Sequence, residues 1–96
     1  TGGGLVDNVP RVFPGGLAAQ ININSWPKIP IFQFLIENLD LKTGELYRTF
    51  NMGIGLTIIV GPSEKDRLVS MLGEDNCYEI GTMVSGSSKK VYLNDK

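Results

Sequence analysis

The stretch that most limits how this chain can fold is RTFNMGIGLTIIV, Arg48–Val60. It ends in Leu56, Thr57, Ile58, Ile59 and Val60, a short apolar and β-branched run without charge. That composition predicts a strand buried on both faces rather than a helix. Asn51, Gly53 and Gly55 stand at its entrance. Glycine weakens a strand, so alternate glycines there imply either a bulge against a neighbouring helix or a ligand lying over the strand mouth.

The 96 residues suffice for one domain, 1–96, near the size at which a single core just holds. A net charge of −1, with acids and bases mixed along the chain, argues against a nucleic-acid or anionic-membrane surface. No apolar run approaches the roughly 20 residues that cross a bilayer. Cys77 is the lone cysteine and has no partner within the chain, which points to a reduced, cytoplasmic setting. Histidine is absent, and with it the commonest metal ligand and general base. A hydrolase triad cannot be assembled from these residues alone, no metal site is assigned, and no catalytic group is named.

The chain opens on Thr1-Gly2-Gly3-Gly4, then Leu5-Val6-Asp7-Asn8-Val9-Pro10-Arg11. Without a starting methionine, it is expected to be a piece of a longer protein. Three glycines before a helical turn can aim successive N–H groups at one spot, and the helix dipole adds positive charge. Arg11, placed after Pro10 has ended or kinked the helix, can grip phosphate or carboxylate with two bonds. A flexible leader is the other reading of the same glycines.

Leu17–Asn24 alternates Ala19, Ile21 and Ile23 with Ala18, Gln20 and Asn22, the period of a strand. Pro27 and Pro30 stiffen the next connection, and Trp26 within it either plugs the end of a core or covers a ligand. Phe32, Leu35, Ile36 and Leu39 form a helical stripe. A second short helix is expected over Glu45–Phe50, with Arg48 near its end either capping it or reaching toward the Asn51–Gly55 entrance. Ser63 is the expected N-cap of a helix bearing Leu68, Met71 and Leu72, with Gly73 as its stop. Cys77–Val84 alternates as a strand, Ser85–Ser88 turns, and Lys89–Leu93 returns as an edge strand guarded by Lys89 and Lys90. The fold class expected is α+β, a mixed and roughly four-stranded sheet with helices packed mainly on one face.

In this order, TGGGLVDNVPRVFP, SWPKIPIFQFL, YRTFNMGIGLTIIV and YEIGTMV resemble the C-terminal part of the phosphoribosylformylglycinamidine cyclo-ligases. These are the aminoimidazole ribonucleotide synthetases of purine biosynthesis. The family pattern carries a histidine and an aliphatic residue before the threonine, and this chain starts after them. The resemblance implies an ATP-dependent ring closure of formylglycinamidine ribonucleotide, at a site shared between an N-terminal ATP- and Mg2+-binding domain and the domain seen here. It implies phosphate or substrate contact at Thr1, Gly2, Gly3 and Gly4, with Asn8 and Arg11 beside them. It also implies a cleft lined by Arg48, Asn51, Gly53 and Gly55. The partners implied are the nucleotide substrate, the N-terminal domain and, for the full-length protein, a second subunit. The piece by itself is expected to bind neither ATP nor Mg2+, to be inactive, and to self-associate through surface left bare. A non-catalytic phosphate-binding or dimerisation module remains the other class. A piece of a related superfamily enzyme, the formylglycinamide ribonucleotide amidotransferase or selenophosphate synthetase, is a third.

Overall fold

Leu17–Asn22 forms β1, the strand on which the other elements are assembled. In the computed structural model, which describes residues 2–86 and 89–95, it lies between two partners. β2, Gly81–Ser85, runs antiparallel on one side, and β3, Val91–Asn94, runs parallel on the other. A strand paired along both edges satisfies all of its ladder groups. Its residues are accordingly small or aliphatic where the layers close, with Ala18, Ala19 and Ile21 buried and Gln20 exposed. The final strand sits at the sheet edge, as Lys89 and Lys90 suggest.

Over this sheet lies a cluster of Leu5, Val9, Phe13, Trp26, Leu46, Tyr47 and Met52, joined by Ala19 and Ile21. Leu5 belongs to α1, Gly4–Asn8, which becomes a 3₁₀ turn over Val9–Val12. Pro10 causes that change, because its missing N–H and its ring cannot continue the α-helical ladder. Leu46 and Tyr47 come from α3, Thr43–Thr49. Trp26 plugs the core: its Nε1 donates to the Met52 carbonyl at 3.0 Å, and its ring meets Tyr47 edge to face at 6.3 Å. Between them, α2, Pro30–Asn38, lays Phe32 and Ile36 on the core but has no fully buried residue.

Two expectations fail here. Leu56–Val60 is not a buried strand; Leu56 is 79% exposed and Ile58 50%. Among the described residues the sheet has three strands rather than four, and all of them are used up around β1. An apolar run becomes a strand only when another backbone answers its N–H and C=O groups, and none does so here. The second failure is smaller. Ser63 falls inside a 3₁₀ turn, Pro62–Glu64, so α4 begins at Lys65 and runs to Leu72 with no side-chain cap. Met71 is exposed, while Leu68 and Val69 turn partly inward. Gly73 does stop α4, at φ 90° and ψ 138°, a backbone conformation open to glycine and strained for other residues. The expected turn at Ser85–Ser88 falls partly on Ser87 and Ser88, which lie outside the described residues.

Gly81 leaves no room for a side chain between β2 and β1. A Cβ there would overlap the Gln20 carbonyl and approach the Ile21 Cα to 3.0 Å. Gly81→Ala is therefore expected to destabilise the fold by about 2–3 kcal/mol in urea unfolding. Gly44, inside α3 with open space around it, provides the contrast. Gly44→Ala should raise stability by about 0.5–1 kcal/mol in the same measurement, since only helix propensity changes.

Candidate functional site

Two glycine segments far apart in sequence meet through one backbone contact. Gly3 and Gly4 are left-handed, at φ 97° and 56°, and begin α1. A Cβ on Gly4 would overlap the Tyr47 carbonyl and stand 2.8 Å from the Phe50 carbonyl, so α1 can rest on the end of α3 only through glycine. Gly3 is nearly as constrained, because its Cβ would fall 2.6 Å from that of Asp7. Asn8 then fastens the loop, donating from Nδ2 to the carbonyls of Gly2 at 2.9 Å and Gly4 at 2.8 Å. Arg48, near the end of α3, pairs through Nε with Asp7 Oδ1 at 3.2 Å. Both side chains are exposed, so this pair adds little stability but ties the two segments together at their surface.

Immediately after α3, Asn51–Gly53 makes a tight turn. Asn51 Oδ1 accepts from the Gly53 N–H at 2.8 Å, and the Ile54 N–H returns to the Asn51 carbonyl at 3.0 Å. Met52 sits at the centre with φ 55°, a left-handed conformation that costs a side-chain-bearing residue about 1–2 kcal/mol. It is held there by complete burial and by the Trp26 hydrogen bond. Gly53, at φ 95°, packs against Ile29, 3.3 Å from where its Cβ would lie.

Between the two segments is a small cavity of about 170 Å³, bordered by Gly4, Asn8, Asn51, Ile54, Gly55, Leu56 and Thr57. Four of these are expected site residues; Ile54 and Leu56 are not, and neither is Thr57. Its only signal is that it is the one hydroxyl in an otherwise aliphatic run. The remaining expected residues lie elsewhere. Gly2 and Gly3 belong to the loop that Asn8 holds, and Gly53 faces Ile29. Arg48 is engaged by Asp7, and Arg11 stands exposed on the 3₁₀ turn away from the cavity border. Thr1 lies outside the described residues. At five residues, α1 is too short to supply the helix dipole expected at the glycine loop. What the loop contributes is curvature and room.

A second hollow, about 1060 Å³, opens between the Gly53–Pro62 segment, α4 and the β2 side of the sheet. Lys28 reaches over Trp26 beside it and donates to the Ile23 carbonyl; burial lowers its ammonium pKa below the usual lysine value. At the rim, Lys65 pairs with Glu79 at 3.0 Å, and that bond and charge raise the Lys65 pKa. Buried within the core, the Tyr47 hydroxyl has no hydrogen-bond partner among the described residues, and burial raises its pKa. Among the described residues no group of three acidic, cysteine or histidine side chains could hold a metal ion. Nor, among the described residues, is any helix long and apolar enough to cross a membrane.

The family model for the AIR synthase related protein C-terminal domain matches residues 1–94. Phosphoribosylformylglycinamidine cyclo-ligase of Geobacillus kaustophilus is 45% identical over 89 residues, 91% of this chain and 26% of the relative. The cyclo-ligase of Enterococcus faecalis is 38% identical over 95 residues, covering 99% of this chain and 27% of the relative. In Dictyostelium discoideum, the bifunctional purine biosynthetic protein purD is 40% identical over 92 residues, 94% of this chain and 11% of its own length. The chain thus spans about a quarter of the cyclo-ligases it matches.

Asn8 carries both loop bonds, and its removal leaves two carbonyls without that donor. Asn8→Ala should cost about 1–3 kcal/mol and speed amide exchange at Gly2–Asp7 while leaving β1 protected, as hydrogen–deuterium exchange would read.

Proposed function

The chain belongs to the AIR synthase related protein family as its C-terminal domain, and on that footing we propose that it forms one wall of a cyclo-ligase site in purine biosynthesis. The reaction is the ATP-dependent closure of formylglycinamidine ribonucleotide to aminoimidazole ribonucleotide. Phosphoryl transfer to the formyl amide oxygen makes that oxygen a good leaving group; an internal nitrogen then attacks the carbon, and phosphate departs. Ring closure gains from holding nitrogen and carbon together, which is a task of shape and hydrogen bonding rather than of acid–base groups.

The observation that carries this reading is the cavity in which Gly4 and Asn8 meet Asn51, Gly55 and Thr57. Its border offers the Asn51 side-chain amide, the Thr57 hydroxyl and bare backbone beside Ile54 and Leu56, groups suited to a ribonucleotide phosphate or a neutral amide. Gly55 supports it further. No positive φ and no close neighbour explain a glycine there, because a Cβ would meet open space. Open space is what a ligand needs. The full reaction also requires ATP and Mg2+. We place their binding on the remaining length found in the relatives, together with the second subunit of the full-length protein.

Two measurements test the reading. The 96-residue chain supplied with formylglycinamidine ribonucleotide and ATP should show no turnover; ring closure by these residues alone would refute the division of labour. Titrated with inorganic phosphate and with the ribonucleotide, the chain should show a thermal shift. Gly55→Val should weaken that binding by about tenfold or more while leaving the melting temperature of the free chain nearly unchanged. A non-catalytic phosphate-binding module would bind phosphate and the ribonucleotide equally.

A further inference from the structure

We propose that Lys28 is a positioning residue for the Asn51 wall of the small cavity, its ammonium fixing the Trp26 indole that holds the Met52 carbonyl. The part that concerns ligand binding rests on the cavity reading above; the part that concerns the turn does not. At the end of β1 the Ser25 N–H and Oγ both return to the Asn22 carbonyl, at 3.1 and 2.6 Å. Ile23 gives its N–H to the Asn94 carbonyl at 2.8 Å, and its own carbonyl accepts from Lys28 Nζ. That nitrogen lies 5.1 Å from the centre of the Trp26 ring. Lys28 is half-buried, yet it takes part in none of the ion pairs among the described residues. A cation drawn out of water without a carboxylate is stabilised by what surrounds it, here one carbonyl and an aromatic face. Its lowered pKa, caused by burial, agrees with that setting.

The consequence falls on the indole N–H. A cation over an aromatic face draws electron density from the ring and makes its N–H a stronger donor, since bonded groups in a low dielectric polarise one another. That donor holds the Met52 carbonyl at 3.0 Å, in a residue whose φ of 55° is unfavourable for any side chain. The Gly53 and Ile54 N–H groups then close on Asn51 at 2.8 and 3.0 Å. Lys28 borders the large hollow and not the small cavity, so it acts through Trp26 and not by touching a ligand there.

The chain has one tryptophan, so its indole N–H gives a single resonance in heteronuclear NMR. Lys28→Met keeps the apolar stem and removes the charge. It should move that resonance upfield and speed exchange at the Gly53 and Ile54 amides while β1 stays protected. Lys28→Arg should restore both, and Lys28→Gln, which can still donate to Ile23 but carries no charge, should behave as Lys28→Met does. If Lys28→Met fails to fold, the Gln and Arg variants decide by the same criteria. The affinity for formylglycinamidine ribonucleotide should fall about three- to tenfold in Lys28→Met and recover in Lys28→Arg. An unmoved indole resonance, a Gln variant like the wild type, an Arg variant that restores nothing, or β1 amides loosened in step with the turn overturns the proposal. So does unchanged affinity in Lys28→Met when the wild type binds. A wild type that binds no ribonucleotide sinks the cavity reading instead, and the resonance and exchange then decide the role of Lys28.

Discussion

The close approach of Gly4 to the end of α3 is the contact on which the candidate site depends. It brings the backbone of the amino-terminal loop against the carbonyls of Tyr47 and Phe50, nearer than any side-chain-bearing residue allows. Once that distance is set, Asn8 and Asn51 face one cavity, and Asp7 lies within reach of Arg48. A methyl group at this one position would push α1 off α3 and separate the two walls. The glycines are therefore structural first, and the room they leave is a consequence of how closely two main chains pack.

A second constraint holds the other wall. Met52 is in a conformation that glycine or asparagine would adopt more cheaply, yet it is completely buried. Trp26 provides the reason, with its indole N–H fixed on the Met52 carbonyl and its ring set against Tyr47. Burial of two aromatic rings and a methionine outweighs a backbone cost of about 1–2 kcal/mol. In exchange, Asn51 is held at the start of the turn that leads into Gly55. The Tyr47 hydroxyl, buried with no partner among the described residues, is the polar loss accepted by the same cluster.

Much of this was legible in the sequence. The strand at Leu17–Asn22, the aromatic plug, the helix stop at Gly73 and the edge strand near the end all follow from residue pattern. The pairing of the glycine loop with the Asn51–Gly55 entrance came from resemblance, and the cavity brings four of the ten expected residues together. What the pattern could not show was that Asn8 is occupied by loop carbonyls and Arg48 by Asp7. Side-chain amides and guanidinium groups bind whatever acceptor lies nearest, and spacing along the chain does not say which one that is. Thr57 carries no such signal, because a hydroxyl in a β-branched run is also what an ordinary strand contains.

By itself, the sequence determined the local conformations: where proline ends a helix, where glycine permits a left-handed turn, and which stretches alternate. It also determined kinship, since motif wording needs no coordinates. Only the tertiary structure decided the fate of Leu56–Val60, which has the composition of a buried strand and the exposure of a surface segment. Composition records how favourable it would be for a run to be covered. Whether it is covered depends on a second backbone lying alongside with matching donors and acceptors, and among the described residues that backbone is missing.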